Sequence, residues 1–198
     1  MSARHKFFLG LPVAALAVFL LVNLSQPAEA ETTQLKAPRA VVWKDFLGVN
    51  AHFLWFTPEQ YTQQMKRFHA LGLEWVRVDL HWDRHEPSEG RYRLGELDGV
   101  VDSLKQEQLK SVFYLVGSAP HATSAPSGSP TPDQFPPKQA QVFAERMAML
   151  AKRYPSIDAW QVWNEPNLPS FWRPHENAEA YGRLLQQSTQ ALRQVDPN

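Results

Sequence analysis

Ile157-Asp158-Ala159-Trp160-Gln161-Val162-Trp163-Asn164-Glu165-Pro166-Asn167 reads as a short apolar strand that ends abruptly on a carboxylate. Pro166 has no N–H to give a sheet ladder and biases the residue before it towards extended backbone, so Glu165 is expected where a strand stops and a loop begins. When parallel strands are wrapped by helices into a barrel, the carboxyl-terminal strand ends form the mouth in which catalytic groups sit. Asn-Glu-Pro is also an ordinary turn tripeptide. Its place directly after Trp-Gln-Val-Trp is what gives it weight.

Upstream, the same rhythm of strand then helix occurs three more times. The first strand is expected over residues 46–53. Its helix opens at Thr57-Pro58-Glu59-Gln60, a capping-box pattern with Pro at the first helical position, and carries Tyr61, Met65, Phe68 and Leu71 on one stripe before Gly72. The second strand is expected over 74–80, followed by a helix with Leu97, Val100, Val101 and Leu104. The third is expected over 112–117. After it comes a loop, 119–137, holding six of the sixteen prolines, then a helix with Phe143, Met147, Leu150 and Tyr154 that Pro155 stops. The helix after the quoted strand shows Tyr181, Leu184, Leu185, Leu192 and Val195 before Pro197.

This alternation argues for a parallel sheet with right-handed crossovers. Four units lie within residues 46–198, where a closed eightfold barrel takes about 250 residues. The expected fold class is therefore α/β, of (β/α)8 barrel type with only the first four β/α units present, a half barrel whose first and fourth strands each leave an unpaired edge. A complete doubly wound four-stranded domain is the alternative, without a Gly-rich phosphate loop to support it.

Ahead of these units, Arg4 and Lys6 precede an apolar run over 7–22, and Ala28-Glu29-Ala30 follows. Residues 1–30 thus have the three parts of a secretory signal cleaved after Ala30, and 31–45 read as a polar linker. An uncleaved anchor in the inner membrane is the alternative to a periplasmic or secreted product; Pro12 interrupts the run. The chain contains no cysteine, which excludes thiol catalysis and thiolate metal sites. Twenty basic and twenty acidic residues give zero formal net charge without a run of either sign, so nothing points to a nucleic-acid partner. Aromatic residues make up 12% of the chain, with seven tryptophans. Such rings stack on sugars, and they equally fill cores.

Period-two alternation in the second strand puts Trp75, Arg77, Asp79 and His81 on one face and Val76, Val78 and Leu80 on the other. The apolar face should meet helices, leaving the polar face to look into the barrel. Arg77 then needs carboxylate or carbonyl partners, either Asp79 and an interstrand neighbour or a catalytic group. Asn50 and His52 alternate inward on the first strand, and His121 follows Pro120 at the mouth; each histidine is equally readable as a packed residue. His81 and His85 are four apart, which on a helix could hold zinc. They follow a strand and precede Pro87 and Gly90, so 82–92 is expected as a loop, with neither metal nor cofactor.

At Trp163-Asn164-Glu165-Pro166 the chain resembles the retaining glycoside hydrolases of clan A, specifically family 39. The resemblance covers the chain from about Phe46 onward and about half of the family's TIM barrel. It implies Glu165 as general acid/base, Asn164 as its partner on the sugar 2-hydroxyl, and Arg77 as the residue that orients the nucleophile. Asn50, His52, His121 and Trp163 would contact substrate. Retaining hydrolysis needs a second carboxyl group about 5–5.5 Å from the first. In the family it is a glutamate at the end of strand seven, and Asp79, Glu86 and Glu176 lie in the wrong units to match it. The leader and later segments are similar to glycosidases of exopolysaccharide operons, which implies a poly- or oligosaccharide substrate. An inactive saccharide-binding half barrel and a non-functional gene fragment are the alternatives. Sugar, linkage and endo or exo action stay open.

Overall fold

In a computed structural model, which describes residues 42 and 46–197, the sheet has four parallel strands: β1 (Gly48–Ala51), β2 (Trp75–His81), β3 (Lys110–Val116) and β4 (Ala159–Val162), hydrogen-bonded in the order β1-β2-β3-β4. The leader and nearly all of the linker lie outside the described residues. Among the described residues no helix is long and apolar enough to cross a membrane. Helices α1 (Pro58–Ala70), α2 (Trp82–His85), α3 (Gly95–Gln106), α4 (Ala140–Arg153) and α5 (Ala178–Val195) occupy the connections and the end.

The apolar face of the sheet is the one the alternation predicts. Val76, Val78, Leu80, Phe113 and Leu115 are all buried and pack with Leu97, Val100, Val101, Leu104, Phe143 and Met147 of the helices. Each such side chain contributes about 1.5–3 kcal/mol by leaving water. The capping box of α1 is present in full: Gln60 N–H donates to Thr57 Oγ1, and Thr57 N–H donates to Gln60 Oε1 at 3.0 Å. Gly72 then ends that stretch at φ +74°, in the left-handed region.

Three expectations need correction. β1 is four residues rather than eight, because the chain turns after Ala51 into a 3-10 turn (Phe53–Trp55) that buries Phe53 completely. The segment after β2 is not all loop: α2 forms one helical turn with His81 at its N-cap. On α5 only part of the expected stripe is inward, since Leu185 and Val195 are exposed while Leu184 is buried.

Register puts the polar face in rows. Asn50 stands opposite Arg77, Asp79 opposite Tyr114, and Tyr114 opposite Gln161. β1 and β2 approach so closely at Gly48 that a Cβ there would lie 2.6 Å from the Trp75 carbonyl oxygen, which only glycine tolerates. Among the described residues β1 and β4 each pair on one side only.

Candidate active site at the carboxyl ends of the strands

Arg77 ties the inner face together. Its Nε donates to Gln161 Oε1 on β4 at 2.9 Å, one terminal nitrogen to Asn50 Oδ1 on β1 at 2.9 Å, and the other to Asn164 Oδ1 at 2.8 Å. Its guanidinium lies 3.8 Å from the ring centroid of Tyr114 on β3. One side chain therefore touches all four strands or their immediate ends, and its donors go to amide oxygens rather than to Asp79. A planar fork with donors in fixed directions can do this; an ammonium cannot.

Pro166 does not leave Glu165 extended. Glu165 has φ +46° and Trp163 φ +65°, both in the left-handed region that non-glycine residues rarely enter. The ladder continues one residue past β4, with Trp163 N–H donating to the Leu115 carbonyl at 2.9 Å, and then the chain twists. Strict alternation would have put Gln161, Trp163 and Glu165 inward and Asn164 outward. The twist at Trp163 resets that phase. Trp163 turns towards the helices, fully buried against Phe143 and Trp172, its Nε1 donating to the Phe171 carbonyl at 3.0 Å. Asn164 turns inward to Arg77, and Glu165 reaches solvent.

The consequence for Trp163 is a change of role: it has no surface left for a sugar, and it anchors the strand end instead. For Asn164 the consequence is orientation. Arg77 takes its Oδ1, so its Nδ2 points towards Glu165 Oε2, 3.4 Å away. That leaves an amide donor beside a carboxylate, a pair suited to a sugar hydroxyl next to a proton-transfer group.

A second cluster lies one register row nearer the mouth. Asp79, 3% exposed, accepts Trp55 Nε1–H at 2.9 Å, and the rings of His52 and His81 approach it at 3.0 and 3.4 Å. Burial would raise its carboxyl, but the hydrogen bonds from His81, Trp55 and His52 outweigh it and hold Asp79 down at about 2. Because the folded value lies below the ordinary 3.8, the stabilisation is present above about pH 4 and is lost as pH falls towards 2. Urea unfolding across that window is expected to show about 2 kcal/mol more acid destabilisation in the parent than in Asp79→Asn. Parallel pH dependence in the two proteins would remove this assignment.

His81 and His85, despite the helical turn between them, do not converge. His81 Nε2 faces Asp79, while His85 Nδ1 donates to the Arg93 carbonyl at 3.0 Å and burial lowers its basicity. Among the described residues no group of three metal-ligating side chains forms. His121 also turns inward, edge-on to Trp82 and 3.7 Å from Glu86. Glu86 is fully buried; burial would raise its carboxyl, but Arg146, Trp82 Nε1 and Gly90 N–H, all donating within 2.9 Å, hold it below the usual range. It braces the connection after β2 and is not available for catalysis.

Sequence reasoning missed Gln161, Tyr114 and Trp55. Gln161 was visible as the one polar side chain inside the apolar run of β4. The other two depend on register and on the 3-10 turn.

A parallel β/α sheet with its polar groups gathered at the carboxyl ends of the strands is the arrangement of part of a (β/α) barrel. The model of Glycosyl hydrolases family 39 matches residues 29–198, and the chain belongs to that family of glycoside hydrolases. It is 27% identical to a β-xylosidase of Geobacillus stearothermophilus over 54% of this chain and 23% of that protein. Among solved structures it is similar to a family 39 glycoside hydrolase of Bacteroides cellulosilyticus WH2, with TM-score 0.58 and 24% identity over 76% of this chain and 29% of that one. The enzyme of the same family from Xanthomonas axonopodis pv. citri gives TM-score 0.59 and 20% identity, over 76% and 33%. The chain thus spans about a quarter to a third of the length of these three proteins.

Proposed function

We propose that this chain carries the general acid/base half of a secreted, retaining β-glycosidase acting on a bacterial exopolysaccharide, with Glu165 as the acid/base. The observation that supports this reading most is the Arg77–Asn164–Glu165 arrangement, which fixes an amide donor beside an accessible carboxylate. A second carboxylate, from a strand other than the four described, attacks the anomeric carbon while the bond to the leaving oxygen breaks and Glu165 gives that oxygen its proton. Glu165 then takes a proton from water, which displaces the second carboxylate and returns the enzyme to its starting state. Asn164 Nδ2 binds the sugar 2-hydroxyl, and Asn50 and His52 stand near enough to the same row to read further hydroxyls.

The test of the reaction class is stereochemical. Proton NMR of a β-linked oligosaccharide digested by a polypeptide that joins this segment to the remaining strands is expected to show the β-anomer first. First appearance of the α-anomer would remove the retaining mechanism. For location, amino-terminal sequencing of the exported protein is expected to begin at Glu31, after Ala28-Glu29-Ala30. A start before Ala30 in a membrane fraction would instead favour an anchor in the inner membrane.

A further inference from the structure

Gln161 stands on β4 opposite Tyr114, half-buried, and its side-chain amide is engaged at both ends. Oε1 accepts the Arg77 Nε–H at 2.9 Å, and Nε2 donates to the Trp163 carbonyl at 2.8 Å. These neighbours fix which end is which, since a reversed amide would set donor against donor and oxygen against oxygen. The bond to Trp163 is not one that a regular strand makes. Trp163 N–H donates to the Leu115 carbonyl of β3, and in a continuing parallel ladder the Trp163 carbonyl would face the same strand and accept the Gly117 N–H. With φ at +65° it accepts the Gln161 amide instead.

A closed ring results. Arg77 donates to Gln161 and to Asn164 Oδ1, Gln161 donates to Trp163, and the peptide bond between Trp163 and Asn164 joins the two ends. Backbone in the left-handed region persists only where its surroundings over-determine it. On the helix side Phe143 and Trp172 pack the Trp163 indole and the Phe171 carbonyl accepts its Nε1–H. On the inner side Arg77 holds the side chain of Asn164, and Gln161 holds the main chain just before it. What Gln161 grips is thus the peptide whose setting decides how Asn164 and Glu165 leave the strand. Swung back into the ladder, that peptide would return both side chains to strict alternation, Asn164 outward and Glu165 inward.

We propose that Gln161 is a positioning residue for the proton transfer: it locks the Trp163–Asn164 peptide in its turned setting and thereby places the Glu165 carboxyl for the leaving oxygen. The inference rests on the glycosidase reading above and adds to it a residue that neither touches the sugar nor carries the proton.

The experiment uses the polypeptide that joins this segment to the remaining strands. Its substrates are xylo- and cello-oligosaccharides and the dinitrophenyl glycosides of the same sugars. Gln161→Met keeps the length of the side chain and loses the amide, and is expected to lower oligosaccharide turnover by about 10- to 100-fold, the size of a misplacement of about 1 Å. The burst of dinitrophenol, whose departure needs no proton, should keep the parental rate. Gln161→Asn, one methylene too short to reach both partners, should show the same selective loss at smaller size. A general loosening of the site would slow both substrates alike, so equal slowing of oligosaccharide and burst overturns the positioning role. Parental rates on both overturn it too. Where the Met variant does not fold, the Asn variant decides by the same comparison. A parent that cleaves both substrate types, beside variants without the selective loss, removes only this inference. A parent that cleaves neither removes the glycosidase reading and this inference with it.

Discussion

Glu165→Gln, placed in a polypeptide that also has the strand bearing the second carboxylate, is expected to cut turnover of polysaccharide by roughly 10²- to 10⁴-fold, the usual yield of general acid–base catalysis. The substitution keeps size and hydrogen-bonding shape and removes the titratable proton, so the loss reads the proton and not the space. The effect should depend on the leaving group. A sugar alkoxide is a poor one and needs protonation, whereas an activated aryl oxygen departs unaided. On an aryl glycoside the first step should therefore be spared, and the second, which needs Glu165 as base towards water, should be slow enough for a glycosyl-enzyme to accumulate. Glu165→Ala should accept azide in the vacated space and give a product of retained configuration. Asn164→Ala should lose rate with an unaltered pH profile, since the role proposed for it is to bind a hydroxyl and an amide carries no titratable proton. Polysaccharide turnover by Glu165→Gln at the parental rate would dismiss Glu165 from this role and take the main support from the proposed reaction.

Much of this arrangement is legible in the sequence because it follows from periodicity. Arg77 sits between Val76 and Val78 on a strand of period two, so its inward direction follows once the apolar face is assigned, and the structure buries that face as expected. The four β/α units and the capping box of α1 were readable for the same reason: each rests on residues within a few positions of one another. What could not be read is the phase break at Trp163. No residue type there demands φ +65°; tertiary packing imposes it, since Phe143 and Trp172 together form the slot that draws the indole to the helix side. That twist decides that Asn164 and not Trp163 faces inward. It also turns Glu165 out of the extended backbone that Pro166 alone would favour. Likewise the partners of Arg77 lie 27, 84 and 87 residues away, and only the register of three strand pairs selects them.

Arg77 should accordingly be the residue whose loss is felt in both stability and rate. Hydrogen bonds from a charged donor contribute about 1.5–3 kcal/mol each and a cation over an aromatic ring about 0.5–2, but bonds made by one side chain do not add. Arg77→Met is therefore expected to lower unfolding free energy by about 3 kcal/mol in urea, with Asn50, Gln161 and Asn164 losing their shared donor. Arg77→Lys keeps the charge and the place over Tyr114 yet cannot reach three amide oxygens in diverging directions, so it should recover part of the stability. Activity separates the two effects. In the proposed reaction Arg77 acts through Asn164, which it holds beside Glu165, and moves no proton, so both variants should lower kcat on polysaccharide while the pH profile keeps its shape. The Lys variant should stay well below the parent even where it is fully folded. Parental melting and parental kcat in Arg77→Lys would mean that the fork does not hold the strand end. The orientation of Asn164 towards Glu165 would then have to come from the backbone twist at Trp163 alone.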